Sequence, residues 1–323
     1  MATLTTILVN YNHGRFLPQS LGSVLAQTRP ADELIVIDDV STDNSVEIIS
    51  SLLPRHPNAR LIRNPRNQGC FANCNDGLKV AQGDVVHFAA ADDVFYPEHY
   101  QTAMSLLELH PRAAFFSSRS DLIDEQSRDL RLPTPWSGHP LDQAGYIAPD
   151  HAARLLMRED GWFMGNTVLL RRDVLLKEGC FPEELQSFSD GFVYRFLSLK
   201  HGACFSPAIL SGWRRMEGGF ASSVNENPER ARAFIAAAER RMLDAGAVFP
   251  AGYAKRWKGR QQFEVRRQAL AKSMADDHSG GVLGRIARRA TEKLRAAALL
   301  LKLRPFDAIT NLRQRIALYR GRT

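Results

Sequence analysis

The sequence predicts an α/β protein: an open, mostly parallel sheet flanked by helices, followed by a basic helical extension. Three observations carry this expectation. Runs of Ile, Leu and Val at strand length alternate with segments of helical periodicity, joined by short links. Within "ELIVID" (33–38) the run is continuously Ile, Leu and Val rather than apolar at every second residue, as expected of a parallel strand covered on both faces. Charge divides the chain. Residues 250–323 hold eighteen Lys/Arg against five Asp/Glu, a net of +13 within a total of +7, which leaves residues 1–249 at −6. The expected division is a sheet domain over 1–245 and a mainly helical extension over 246–323.

The elements follow in order. "TTILVNY" (5–11) reads as a buried strand, and 16–27 as a helix with Leu17, Leu21, Val24 and Leu25 on one face. "ELIVID" (33–38) is a second continuous apolar strand. A helix through "VEIISSLL" follows, with Asn44 as N-cap and Glu47 three residues on. Then come "ARLIRN" (59–64), a helix over 70–81 stopped at Gly83, and the strand "DVVHFAAA" (84–91). Between 115 and 160 the pattern loosens, with "LPTPWSGHP" an irregular loop. Strand and helix signals return in "GNTVLLRRDVLL" and "SDGFVYRFLSLKHGACF". "NPERARAFIAAAERRMLDAGA" has an Asn–Pro start and a Gly stop, which predicts a closing helix. Beyond it the Ala- and Arg-rich tail predicts helix with a break at "DDHSGG" (276–281).

A chain of 323 residues, 44% hydrophobic, can bury one large core or two smaller ones. It contains no run of about 18 apolar residues, and "MATLTTILVN" lacks the basic and apolar regions of a signal peptide, so a cytosolic location is expected. Cys70, Cys74, Cys180 and Cys204 form no CxxC pair and read as small apolar filler. His13, His87 and His99 are scattered without metal-ligand spacing and read as structural or surface residues.

Two strands end in acid pairs, Asp38/Asp39 and Asp92/Asp93. Adjacent carboxylates repel and lose solvation unless a cation or hydrogen-bond donors meet them. In open α/β sheets ligands bind beyond the carboxyl ends of the strands. Hard divalent cations favour carboxylate oxygens, and Mg²⁺ or Mn²⁺ held by one or two of them keeps positions for water and phosphate; Asp92/Asp93 suit that task. Asp38/Asp39 suit acceptance from a base or ribose. For a single pair, a helix cap or a solvated loop is the commoner outcome; two pairs on strands of one sheet favour a site.

With these motifs in place the chain resembles the family 2 glycosyltransferases. The likeness opens in "ILVNYNHGRFLPQSLGSVLAQTRPADELIVIDDVSTDNS" and runs through "NPRNQGCFANCNDGLKVAQGDVVHFAAADDVFYPEH". It returns in "GNTVLLRRDVLLKEGCFPEEL", "FSDGFVYRFLSLKHG" and "GWRRMEGGFASS", covering about residues 4 to 223. The resemblance implies a GT-A fold and an inverting, hexosyltransferase-type enzyme that uses a nucleotide-diphosphate sugar, a UDP-sugar first among them. It implies Mn²⁺ or Mg²⁺ as cofactor and a saccharide or lipid-linked acceptor in cell-surface polysaccharide, lipopolysaccharide or glycan synthesis. It places Tyr11, Asp38, Asp39, Asn67 and Gly69 around the nucleotide, and Asp92 and Asp93 at the metal and sugar. Asp190 becomes the catalytic base, and Arg214 and Arg215 of "WRR" lie near the diphosphate. Trp162 and Gly165, in "GWFMGN", are candidates for acceptor binding, with core packing the equal alternative for the tryptophan.

Three departures stand out. The family's DxDD reads Ala90-Ala91-Asp92-Asp93, its ED reads Ser189-Asp190, and Met216 and Glu217 stand where a His often follows the arginines. The alternative they leave open is a catalytically silent nucleotide-sugar binder. A phospho-receiver module, the other class with acids at strand ends, leaves the later motifs unexplained. Arg63 and Arg66 read as solvated loop arginines or phosphate contacts. Lys255, Arg256, Lys258 and Arg260, then Arg285, Arg288, Arg289, Lys293, Arg295 and "AAALLLKL", suggest peripheral attachment to the inner membrane surface. A solvated extension and a dimerisation arm giving a homo-oligomer stay open. Nucleic acid is not expected, because no aromatic stacking set accompanies the charge.

Overall fold

The computed structural model describes residues 1–131, 140–216 and 227–276. Expectations for "LPTPWSGHP", for the glycine-rich turn after "WRR", for the 276–281 break and for the basic residues from 285 onward fall largely or wholly outside them. The chain forms two compact units, one of Met1–Arg154 with Gly161–Gly219, the other of Leu155–Asp160 with Phe220–Thr323.

In the first unit the strands are β1 (Leu4–Asn10), β2 (Glu33–Asp38), β3 (Ala59–Arg63), β4 (Val85–Ala90), β5 (Val94–Phe95), β6 (Phe115–Ile123), β7 (Gly145–Ile147), β8 (Leu169–Arg171) and β9 (Ala203–Arg214). They form one sheet in the order β3-β2-β1-β4-β8-β6-β9-β5, with β7 also paired to β9. Strands β3, β2, β1 and β4 are mutually parallel, as the continuous apolar run of β2 predicts, while β3, with Arg60 and Arg63, is not buried on both faces. Strand β8 enters antiparallel to both neighbours, while β6 and β9 run parallel to each other.

Helices α1 (Leu17–Leu25) and α2 (Ser45–Leu52) pack on one face, where Leu17, Leu21, Val24 and Ile49 meet Leu8, Leu34, Val36 and Ala89. Helix α3 (Cys70–Val80) covers the strand residues that alternate with these. Its Gly77 lies so close to the sheet that a Cβ there would be 2.7 Å from Ile7 Cγ2, so the approach needs glycine. Helix α4 (His99–Leu109) buries Tyr100, Met104 and Leu107 against Phe116, Leu169 and Cys204. The remaining helices are α5 (Pro149–Glu159), α6 (Arg172–Lys177) and α7 (Ser189–His201). Thus the stretch 115–160, loose by sequence, contains a nine-residue strand, a short strand and a helix. Asn44 stands at the cap position of α2 without a side-chain cap bond; Asp43 Oδ1 accepts from Ser45 N at 3.0 Å instead.

The second unit holds the last turn of α5, from Leu155 onward, together with α8 (Pro228–Asp244) and α9 (Tyr253–Asp276). Asn227 caps α8 as predicted, its Oδ1 accepting from Glu229 N at 3.1 Å and Arg230 N at 3.0 Å. The basic residues at the start of α9 do not make one cationic face. Lys255 and Arg256 are exposed, Lys258 pairs with Glu239 at 2.6 Å, and Arg260 is buried. Arg260 donates to the carbonyls of Leu156, Met157 and Arg158 in the last turn of α5 and lies 3.6 Å from Asp160, which also accepts from Tyr253 Oη at 2.6 Å. Removing the guanidinium would leave a buried carboxylate short of its cation, so Arg260→Met is expected to cost about 3–5 kcal/mol in a urea melt. A loss below about 1 kcal/mol would show that the pair does not hold this unit. No helix among the described residues is long and apolar enough to cross a membrane.

Candidate active site

The carboxyl ends of β1, β2 and β4 lie side by side, with Asn10 opposite Asp38 and Val9 opposite Ala90. Both acids after β2 are buried. Asp38 accepts from Asn10 Nδ2 at 2.8 Å and from Ser41 N at 3.0 Å. Asp39 accepts from Asn64 Nδ2 at 2.7 Å, Gln68 N at 3.0 Å and Gly69 N at 2.9 Å. Burial pushes the Asp39 carboxyl up, but the Asn64, Gln68, Asn73 and Gly69 donors outweigh it and hold the group below the usual carboxylate range. Asn67 Nδ2 donates to the Asp39 carbonyl at 3.1 Å. Asp38, Asp39, Asn67 and Gly69 are therefore brought together at one edge, and the contacts of Asp39 with Asn64, Asn67, Gln68 and Gly69 anchor the 64–69 loop. Tyr11 follows Asn10 directly and is 48% exposed, so its ring is free to meet a ligand at this edge.

Asp92 and Asp93 follow β4. Burial and the charge of Asp92 push the Asp93 carboxyl well above its ordinary value, against the Arg214 N–H and the Asn166 side chain; burial also raises Asp92, opposed by His13 and Arg214. Two carboxyls that resist joint ionisation are short of a cation. Among the described residues no group of three or more His, Cys, Asp or Glu is arranged to hold a metal ion. The donor set fits a hard divalent ion completed by phosphate and water, not a closed protein cage.

Arg214 corrects one expectation. Its backbone N–H donates to Asp93 Oδ1 at 2.8 Å, and its guanidinium lies over the Phe16 ring at 4.7 Å. Nε donates to the Asp92 carbonyl at 2.6 Å, Nη1 to the Asp124 carbonyl at 2.7 Å, and Nη2 to Gln19 Oε1 at 3.1 Å and Ser127 Oγ at 2.9 Å. Four of the five N–H donors of a guanidinium are committed inside the protein, so Arg214 braces the acid pair rather than reaching for a diphosphate. Arg215 is exposed and keeps its side chain toward solvent.

Asp190 lies in the first turn of α7, its Oδ1 accepting from Gly191 N at 2.6 Å. Burial pushes its carboxyl up, opposed by the Gly191 N–H and the Arg195 guanidinium. Gly165 lies against it: a Cβ at Gly165 would be 3.0 Å from Asp190 Oδ2, so a larger residue would displace the carboxyl. Gly165 opens a 3-10 turn, Gly165–Thr167, whose next residue, Asn166, has its side chain at Asp93. One short turn thereby joins Asp190 to the acid pair. Asn166 was not legible as a site residue; its signal is the single polar amide between "GWFMG" and "TVLL". Trp162 is a second correction. It is 1% exposed and packs on Phe115, Phe163 and Phe205, so it serves the core and offers no face to a sugar.

The sheet, with acids at its parallel strand ends and a buried carboxyl linked to them through the Gly165–Thr167 turn, defines an α/β protein of GT-A type. The family model for Glycosyl transferase family 2 matches residues 5–175, and the chain belongs to that family. It is similar to an uncharacterized glycosyltransferase of Nostoc sp., 31% identical over 181 residues, 55% of this chain and 53% of that one. It is also similar to an uncharacterized glycosyltransferase of Escherichia coli K12, 40% identical over 103 residues, 32% of this chain and 30% of the relative. The chain thus spans about half the length of the first relative and under a third of the second. Among solved structures, S. aureus TarS 1-349 in complex with UDP-GlcNAc superposes with a TM-score of 0.62 at 20% identity, covering 81% of this chain and 73% of that one. Mannosyltransferase PcManGT from Pyrobaculum calidifontis, in complex with GDP-Man and Mn²⁺, gives 0.59 at 18% identity, covering 93% and 81%. At these identities the structures support the fold.

Proposed function

We propose that this chain is an inverting glycosyltransferase that moves a sugar from a nucleotide-diphosphate sugar to a hydroxyl of a saccharide or lipid-linked acceptor, with residues 1–245 as the catalytic part. The observation that carries the proposal is the pairing, through one turn, of a cation-seeking acid pair with a separate carboxyl whose burial raises its affinity for a proton. The ligands of the two similar structures, UDP-GlcNAc and GDP-Man with Mn²⁺, support the donor class. Asp92 and Asp93 would hold Mn²⁺ or Mg²⁺. That ion, when bound, supplies positive charge for the departing diphosphate. The Asp190 carboxylate takes the proton of the acceptor hydroxyl as its oxygen bonds to the anomeric carbon; the bond from that carbon to the phosphate oxygen breaks, and its electron pair leaves with the diphosphate. Arg214, fixed in place, holds Asp93 and the Asp92 carbonyl, and the exposed Arg215 would be the arginine left to meet the leaving group. Attack opposite the leaving group inverts the anomeric centre.

Ala90, in place of the first acid of the motif, supports the second reading, a nucleotide-sugar binder without turnover. One screen addresses both. A donor at about 100 Kd stabilises the fold by roughly 2.7 kcal/mol. In a panel of UDP- and GDP-sugars with and without Mn²⁺, one donor is expected to raise Tm in a Mn²⁺-dependent way, and Asp92→Ala is expected to abolish the rise. Binding without any donor hydrolysis or transfer would favour the silent binder, and no shift for any donor would count against both.

A further inference from the structure

Behind the Gly165–Thr167 turn lie two histidines with no exposure, His87 on β4 and His99 at the start of α4. His87 Nε2 is 3.1 Å from the Asn166 carbonyl, and His99 Nε2 is 3.1 Å from the Thr167 carbonyl. A carbonyl only accepts, so each Nε2 carries a proton and, in a neutral ring, each Nδ1 is left as an acceptor. For His87 that acceptor meets Tyr100 Oη at 3.0 Å, and Tyr100 Oη receives the hydroxyl proton of Thr6 at 3.0 Å. The chain of donors therefore has one direction, from β1 through α4 and β4 to the turn. Phe95 fixes both rings, edge-on to His87 at 4.7 Å between centroids and stacked with His99 at 5.6 Å. Two adjacent carbonyls held from behind fix two successive peptide planes, and these planes set where Gly165 and Asn166 face.

We propose that His87 and His99 are positioning residues that together hold the Gly165–Thr167 turn, so that Gly165 stays against Asp190 and Asn166 stays at Asp93. The proposal rests on the reading of Asp190 as the base. Burial keeps both rings neutral, with His87 pushed down to about 3 and His99 to about 4, so the donor pattern persists across the working pH range. Neither ring touches substrate. They act through the turn, as buried hydrogen bonds that orient a reacting group do.

The test compares His87→Leu and His99→Leu with His87→Gln and His99→Gln. Leucine and glutamine fill similar volume, but only the glutamine amide can donate to the turn carbonyl. The leucine variants are expected to lose roughly 10- to 100-fold in kcat while retaining the donor-induced Tm shift, and the glutamine variants to recover most of that loss. The acid limb of the kcat/KM profile is expected to move to lower pH in the leucine variants, because a loosened turn admits water to Asp190. The other titratable groups facing Asp190, namely Arg195 and Tyr194 on its own helix and Cys74 on α3, are unchanged in these variants. Tyr100→Phe removes the donor to His87 Nδ1 at constant volume, so it stands in if a leucine variant fails to fold, and a smaller kcat loss is expected. Unchanged kcat and pH limb in the leucine variants, or in Tyr100→Phe where they do not fold, would overturn the proposal. So would equal losses for leucine and glutamine. Near-normal turnover in Asp190→Asn would instead overturn the reading of the base, a separate outcome.

Discussion

Asp190→Asn is expected to lower kcat by about 10²–10⁴, the usual contribution of general-base catalysis, while the donor-induced Tm shift is retained. The amide matches the carboxyl in shape and cannot accept the acceptor's proton. Gly165 leaves room for either group, and the Gly191 N–H can donate to the amide oxygen as it does to Asp190. The direction of the wild-type pH profile follows from the same burial. On the proposed reading the base works ionised, and burial raises the Asp190 carboxyl, so activity is expected to be lost as pH falls through a value above the ordinary carboxylate range. The measurement is initial transfer rate against pH for both proteins. An Asp190→Asn variant with near-normal kcat would place the base elsewhere.

Acid should destabilise the wild type through its two buried histidines. An unfolded histidine titrates near 6.5, whereas His87 is pushed down to about 3, mainly by burial and then by His99, and His99 to about 4 by burial. Between those values and 6.5 the unfolded chain binds protons that the folded one refuses. Stability is therefore lost as pH falls through that window, by about 3 kcal/mol for a single such histidine at pH 4. The raised carboxyls of Asp92, Asp93 and Asp190 act in the opposite sense, since the folded state takes their protons first and gains stability on acidification. The difference between proteins isolates the histidines: from pH 7 to pH 4.5 the His87→Gln/His99→Gln double variant is expected to lose less stability in urea melts than wild type. Parallel curves for the two proteins would mean that the rings titrate normally.

The parallel half of the sheet was legible because strands covered on both faces are mostly apolar, most plainly "LIVI" of β2, with "ILV" in β1 and "VV" and "FAA" in β4. Strand β6 was not. Its "FFSSRSDLI" carries Ser117, Ser118 and Ser120 in the interior, which breaks the apolar run. These hydroxyls and amides are satisfied by Thr167 and Ser211, residues remote in sequence, so no local pattern reveals them. The site divides in the same way. The acid pairs at strand ends were visible as chemistry, since charge at the end of an apolar run demands a partner, whereas Asp190, in the first turn of α7, was named only through the family resemblance. The inward course of Arg214 was hidden because its partners, Gln19, Asp124 and Ser127, come from two separate segments. Trp162 was open between core and ligand, and the rings of Phe115 and Phe205 decide for the core.

Strand β9 carries a consequence for how the molecule is made. Among the described residues it is the last strand in sequence, yet it pairs with β6 along nearly its full length and also with β5 and β7. During vectorial synthesis the parallel strands and α1 to α4 can assemble while β5, β6 and β7 still lack this partner, exposing unpaired edge groups. Closure waits for residue 214 to emerge, and the same residue completes the brace on Asp93. The last pairings of the sheet and the Arg214 bond to Asp93 therefore depend on the same late stretch of chain, and a product truncated within β9 is expected to aggregate, which a pelleting assay checks.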